Sequence, residues 1–290
     1  MSSSTTNRSR DTTGEAVKVV KAQARVNGVP LLDVDTPSSI LSKAFDLLRA
    51  FNSNERVMSL TELSEASGLA KSTVHRLLAR LVELGAIEHH RGSYRIGIEV
   101  FRLGVTSLAA SMRDTAISHL ATLHRQTGRT VQLGVMRGHE VVFLERLSVE
   151  KAPSTLFGVG GRLPANCTAL GKAVLAYKDP AFLESLLPHP MPRMTAASIT
   201  DVAALLQQLA AVRCSGIARQ RGEAQPGLAC SAAAVIVNGV AVGAVSLSQP
   251  GMSGFHAGFD AALRETAVLV SKDIHDRLTQ GRMHWFPIEL

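Results

Sequence analysis

The chain has little cysteine and no long apolar run, and each shortage excludes whole classes of protein. Three cysteines in 290 residues, Cys167, Cys214 and Cys230, are an odd number without paired spacing, which argues against a disulfide scaffold and against a zinc ribbon. A reducing cytoplasm is therefore the expected compartment. No stretch reaches the roughly 18 uninterrupted apolar residues that a membrane span needs, and the opening "MSSSTTNRSRDTTGE" has no apolar core of an export signal. No repeat of solenoid length is visible. Concentrated charge is missing too: the net +7 splits into +3 over residues 1–95 and +4 over residues 96–290, so only local clustering can argue for a nucleic-acid partner.

What is present is enough apolar sequence, 46%, to build a sizeable core, over a length that suits two domains. Residues 1–36 are rich in Ser and Thr and weakly patterned, as in a disordered tail. From Ser39 onward, Ile40, Leu41, Ala44, Leu47, Leu48 and Phe51 repeat at helical spacing and predict a first helix with these residues inward. In "SLTELSEASG" Ser59 stands three residues before Glu62 as a capping box, with Leu60 and Leu63 inward and Gly68 as the stop, which predicts a short second helix.

The stretch "AKSTVHRLLARLVELGAIEHH" then sorts itself into two faces. Val74, Leu77, Leu78, Leu81 and Leu84 fall on one side; Ser72, Thr73, Arg76, Arg80 and Glu83 fall on the other. "AIEHHRGSYRIG" alternates about an "RGS" turn and reads as a β-hairpin. Three helices and a hairpin, within residues 37–97, make a winged helix-turn-helix. Ile98–Gln126 is expected to be largely helical, its first part (98–112) a linker too apolar at Val100, Phe101, Leu103, Val105 and Leu108 to stand solvated, with a twin as the simplest partner.

Beyond Gly128 the pattern turns to strands. "TVQLGVM" and "VVFLERL" flank "RGHE", and Asn238-Gly239 sits between β-rich runs as a strong hairpin signal. Helices are expected at about Cys167–Tyr177, after Thr200 or Asp201 up to Gly216, and from about Gly258 to Leu278. Residues 113–280 thus form an α+β domain with a central antiparallel sheet and helices on its faces, and 281–290 are left as a tail.

The polar face of the third helix suits double-stranded DNA. Ser72 and Thr73 are short donors near the helix N-terminus, placed to bond phosphate beside free N–H groups; Arg76 and Arg80, one turn apart, can fork onto guanine edges or bind phosphate. Lys71, His75 and Arg91 add attraction to the backbone that does not depend on base sequence. A polar helix face is also the ordinary solvated surface of a winged-helix module that binds proteins.

The segment "LTELSEASGLAKSTVHRLLARLVELGAIE" resembles the DNA-binding domain of the IclR family of bacterial transcription regulators. "GRLPANCTALGKAVLA", "GEAQPGLACSAAAV" and "GAVSLS" resemble, in order, motifs of that family's effector domain, and the likeness runs from about Ser39 to Gln280. It implies a GAF-like effector domain that binds a small molecule, often a carboxylate, in a homodimeric or tetrameric repressor or activator acting on an inverted-repeat operator. The residues are compatible with this. "ANCTALGK" places Cys167, Thr168, Ala169 and Leu170 at an expected helix N-terminus, which favours an anion. Ser246 and Ser248, two apart on a strand, point the same way and can face that site with Cys230. Where the family often carries an acidic run before the later cysteine, this chain reads Gln220, Arg221, Gly222, Glu223. Only Glu223 fits, so the family's ligands are not carried over, and Arg221 suits a more acidic effector.

Each of these residues also has a structural explanation, since cysteine is often a small core residue and a strand serine often satisfies backbone. The competing class is a hydrolase or transferase with Cys167 or Cys230 as nucleophile and one of the ten histidines as base. No cysteine motif supports it, and His189 in "LPHPMP" has nothing to pair with. No metal, cofactor or catalysis is expected.

Overall fold

The computed structural model describes residues 39–51, 56–148, 155–250 and 257–283. The expected tail at residues 1–36 and most of the one at 281–290 lie outside the described residues. Helix α1 (Ile40–Ala50) starts at the cap of Ser39, and α2 (Leu60–Ser67) starts at the predicted capping box and ends on Gly68 in the left-handed conformation. In that box the Glu62 N–H donates to Ser59 Oγ (3.3 Å) and the Ser59 N–H donates to the Glu62 carboxylate (2.7 Å). A two-residue strand, β1 (Met58–Ser59), precedes α2, and α3 (Lys71–Glu83) follows it. The wing is β2 (Ile87–His90) and β3 (Ser93–Ile96), turned at Arg91-Gly92 with φ of 48° and 80°. Positive φ at both central residues is the turn that matches strand twist. β1 adds to the free side of β3, an edge the sequence did not suggest.

Leu47, Leu63, Val74, Leu77, Leu78, Leu81 and Ile87 close this small core. Three residues expected inward are not. Ile40 and Leu41, in the first turn of α1, are 62% and 70% exposed, and Leu84 is 61% exposed. Leu84 is the C-cap of α3, past the last turn that packs, and periodicity does not report where a helix outruns its neighbours.

The long helix expected over Ile98–Gln126 is two helices, α4 (Ile98–Val105) and α5 (Leu108–Thr127). The break falls at Thr106-Ser107, where both hydroxyls donate to carbonyls of the preceding turn, of Leu103 and Gly104, and Ser107 then caps α5. Hydroxyls that bond backbone in this way compete with helix propagation.

A six-stranded, wholly antiparallel sheet follows: β4 (Thr130–Arg137), β5 (Glu140–Leu147), β6 (Arg162–Pro164), β7 (Ala218–Arg221), β8 (Leu228–Val237) and β9 (Val240–Pro250), in the order β6-β5-β4-β9-β8-β7. β8 and β9 turn at Asn238-Gly239, both with positive φ. On one face α5 and α9 (Ala257–Thr279) pack Met112, Leu120, Leu263, Val270 and Ile274 onto Val131, Leu133 and Val245. On the other lie α6 (Ala169–Leu175), α7 (Pro180–Leu186) and α8 (Val202–Ser215), with Leu170, Leu175, Leu183 and Leu205 over Val141, Phe143, Ala232 and Ala244.

Helix α6 is shorter than the Cys167–Tyr177 expected. Ala165–Cys167 form a single tight 3₁₀ turn, Thr168 is extended and caps the helix through its hydroxyl, and Cys167 therefore stands outside it. This turn lies so close to α6 that a Cβ on Gly171 would sit 2.4 Å from the Cα and carbonyl oxygen of Ala165. Backbone cannot yield as a flexible side chain would. Gly171→Ala is expected to lower stability by roughly 1–3 kcal/mol, the usual cost of overpacking, read as a lower urea midpoint at unchanged slope.

Candidate functional sites: a recognition helix and a lined cavity

The two expected sites lie in different parts of the fold. On α3, Lys71, Ser72, His75, Arg76 and Arg80 are exposed and Thr73 is half-buried, while Arg91 is exposed at the tip of the wing. The N-cap of α3 is Ala70, which has no side-chain cap. Alanine is a poor N-cap, so the Lys71 and Ser72 amides, which have no acceptor among the described residues, remain available for an anion, while the Thr73 N–H donates to the Ala70 carbonyl at 2.9 Å. The two arginines differ: Arg80 is engaged by Glu83 one turn on, whereas Arg76 has no ion pair among the described residues. Behind the tip, Arg95 pairs with Glu88 across the wing and His89 stacks on Tyr94 at 4.5 Å, which stiffens the hairpin that carries Arg91.

The second site is a cavity between α6 and the sheet, lined by Gln132, Phe143, Phe157, Leu163, Thr168, Ala169, Leu170, Gln220, Ala224, Leu228, Cys230 and Ser246. Its free space is about 20 Å³, room for roughly one water. Thr168, Ala169, Leu170, Gln220, Cys230 and Ser246 are thus brought together from three distant stretches. Antiparallel register does it: Gln132 faces Ser246, Cys230 faces Ser248, and Gln220 faces Cys230 across neighbouring strands.

Three of the expected residues do not line the cavity. Ser248 stands behind it, its hydroxyl 3.1 Å from Cys230 Sγ and donating to Gln132 Oε1 (3.2 Å). The Cys167 thiol faces the carbonyl of Pro192 at 3.5 Å. The Glu223 carboxylate is turned to Lys172, whose Nζ lies 2.7 Å from both of its oxygens and donates to Gln208 Oε1 at 2.8 Å. Lys172 is fully buried, with 0% of its surface exposed. Burial pushes the Lys172 ammonium below its ordinary value and the Glu223 carboxyl above its own, each opposed by the attraction of the other. The turn bearing Glu223 is buttressed by Ser198 Oγ, which donates to its carbonyl at 2.7 Å, and by Thr195 Oγ1, which donates to the Gly222 carbonyl at 2.7 Å.

Sequence reasoning missed Lys172, Gln132, Phe143, Phe157, Leu163, Ala224 and Leu228. A signal existed for the first: a lone lysine within the apolar run "ALGKAVLA", on a helix whose seven residues are all buried, has to find a counter-charge. Nothing local marks the others, which reach the cavity through strand pairing.

A helix-turn-helix with a wing, joined to an antiparallel sheet with a lined cavity, is the arrangement of a DNA-binding protein with a ligand-binding domain. The comparisons agree. Residues 40–91 match the IclR helix-turn-helix domain and residues 106–272 match the bacterial transcriptional regulator IclR C-terminal domain. The Escherichia coli HTH-type transcriptional regulator XynR is 32% identical over 199 residues, covering 67% of this chain and 79% of XynR. The Escherichia coli regulator KdgR is 31% identical over 221 residues, covering 74% and 83%. Among solved structures, an IclR homolog complexed with 4-hydroxybenzoate, from Microbacterium hydrocarbonoxydans, superposes with a TM-score of 0.75 at 30% identity over 82% of this chain and 100% of the other. The chain belongs to the IclR family: it is an IclR-type DNA-binding transcriptional regulator with a ligand-binding C-terminal domain. No helix among the described residues is long and apolar enough to cross a membrane.

The buried ion pair gives a direct expectation. Lys172→Met or Glu223→Leu alone strands a buried charge and should cost about 3–5 kcal/mol, whereas the double variant should recover most of that loss. A double-mutant cycle from urea unfolding measures the coupling; additive losses would show that the two side chains do not interact.

Proposed function

We propose that this chain binds an inverted-repeat DNA operator as a homodimer through α3 and the wing, and that the cavity receives a small aromatic carboxylate as effector. The observation that carries the DNA reading is the N-terminus of α3 without a side-chain cap, with the Ser72 and Thr73 hydroxyls beside the open amides of Lys71 and Ser72, and Arg76, without an ion pair among the described residues, one turn further on. Lys71, His75, Arg80 and Arg91 supply phosphate contacts around it. The dimer is supported by exposed apolar side chains on α1 (Ile40, Leu41, Phe45) and on the linker helix α4 (Ile98, Phe101, Leu103, Val105). Two-fold symmetry of the protein projects onto the operator.

The effector reading is supported by the wall itself. Phe143, Phe157, Leu163, Leu170 and Leu228 offer flat and aliphatic surface, while Thr168, Gln132, Gln220 and Ser246 add polar atoms to the same lining. The solved relative that carries 4-hydroxybenzoate supports the same ligand class. A ring does not fit the free space in this conformation, so binding parts the covers at 155–161 and 222–228. That displacement, passed through α5 and α4, resets the spacing of two recognition helices.

A cysteine nucleophile is disfavoured. Burial pushes the thiols of Cys167 and Cys230 up, away from the reactive thiolate, and no histidine among the described residues lines the cavity.

Arg76→Ala should lose about 1–3 kcal/mol on the operator and relax preference at one base pair, while Ser72→Ala should weaken all sequences alike. Competition binding on a randomised operator library separates the two, and equal operator affinity for wild type and Arg76→Ala would reject the base-reading role. For the cavity, Ser246→Ala combined with Ser248→Ala should leave ligand-free operator affinity nearly unchanged and abolish the effector response. Calorimetry with 4-hydroxybenzoate beside a DNA-binding titration tests this, and a retained response moves the pocket elsewhere.

A further inference from the structure

The Lys172–Glu223 pair is an expensive way to fasten a turn, because two well-packed apolar residues often do as well or better than a buried ion pair. Its consequence lies one hydrogen bond further on. With its carboxylate held by Lys172, Glu223 presents its backbone N–H to Gln220 Oε1 at 2.9 Å. A backbone N–H can only donate, so the oxygen of the Gln220 amide must be at that end. The nitrogen end then donates to the Leu228 carbonyl (3.3 Å) and to Cys230 Sγ (3.1 Å).

The far side of the cavity is fixed in the same way. The carbonyl of Phe157 can only accept, so Gln132 turns its Nε2 to it at 3.2 Å and its Oε1 to Ser248. Ser248 has one proton and spends it on Gln132. The remaining contact, 3.1 Å between Cys230 Sγ and Ser248 Oγ, must therefore be donated by the thiol. Every proton in the row is assigned: Glu223 N–H to Gln220, Gln220 to Cys230, Cys230 to Ser248, Ser248 to Gln132, Gln132 to Phe157. The chain runs one way across β7, β8, β9 and β4, and its ends are the two covers of the cavity. A row of this kind strengthens along its length.

We propose that the Lys172–Glu223 pair is a positioning unit for the effector cavity, anchoring the Glu223 end of this hydrogen-bond chain, whose direction the Phe157 and Leu228 carbonyls also enforce, and so holding Gln220 and Cys230 in a wall that favours acceptor groups. The inference rests on the reading of the cavity as the effector site. With the chain in place, Gln220 and Cys230 have spent their protons internally, Gln132 keeps one N–H, and the Ser246 hydroxyl has no partner among the described residues. A carboxylate brings only acceptors to such a wall. A carboxamide exchanges one acceptor oxygen for two N–H donors, of which the Ser246 oxygen can accept one, and a buried donor left without an acceptor is the costly outcome.

Two measurements on the full chain test it. The S–H stretching band of Cys230, isolated as the infrared difference between wild type and Cys230→Ser, needs no ligand. It should lie at the lowered frequency of a donating thiol. In the neutral double variant Lys172→Met with Glu223→Leu the band should shift, and the preference for 4-hydroxybenzoate over 4-hydroxybenzamide, by calorimetry, should fall about tenfold, the factor that one ordinary hydrogen bond supplies. Gln220→Leu, which leaves the ion pair intact, should produce the same two changes and serves if the double variant does not fold. A wild-type band at the free-thiol frequency overturns the proposal. So does a folded variant with either its band or its ligand preference unchanged. If neither compound binds wild type, the reading of the cavity as an aromatic-acid site fails, and the Cys230 band still decides the direction of the chain.

Discussion

Strand β9 is buried on both faces for eight consecutive residues, and much of the C-terminal domain follows from that constraint. A strand at the middle of a sheet, apolar above and below, must be covered twice. Its alternating side chains therefore feed two cores. Val245 and Leu247 pack beneath α5 and α9. Ala244, Ser246 and Ser248 face α6 with Cys230 and Ala232 of the neighbouring strand. The residues on the α6 side are small, and small residues beneath a helix that cannot come closer leave a cavity. α6 is held at its depth by the Ala165–Cys167 turn, which sits against Gly171 with no room for a Cβ.

The same geometry explains why polar chemistry collects there. Gln132, Ser248, Cys230 and Gln220 come from four strands and meet because antiparallel register sets them side by side. Buried polar groups of this sort cost free energy unless satisfied. Here they satisfy one another in a row whose ends are backbone groups, and that row continues through Glu223 to Lys172 on α6. Helix, sheet and cover segments are thus joined by hydrogen bonds as well as by apolar contact.

The DNA-binding part is organised by a different economy. Its core is a few leucines, a valine, an isoleucine and a methionine, so much of its apolar surface stays outside. The exposed side chains of α1 and α4 flank the connection between the two halves of the chain, where α4 leads into α5. Because α5 packs on the sheet face opposite the cavity, movement within the sheet has a mechanical route to α4 and its exposed apolar side chains.

Local patterns in the sequence determined the winged helix almost completely. The capping box at Ser59 and Glu62, the glycine at Gly68, the two faces of α3 and the "RGS" turn are all short-range signals, and short-range physics decides them. They failed where a helix runs past its partners, at Ile40, Leu41 and Leu84, and where Thr106 and Ser107 turn their hydroxyls onto the backbone and break a helix that periodicity would carry through. In the effector domain the sequence marked Thr168, Gln220, Cys230 and Ser246 as candidates, but it could not say that Glu223 faces Lys172 instead of the cavity, or that Ser248 supports the wall and Ser246 lines it. Those decisions belong to strand register and to the desolvation of a lysine 51 positions away in the chain. Both depend on what else is buried nearby, and only the tertiary structure brings those groups within reach of each other.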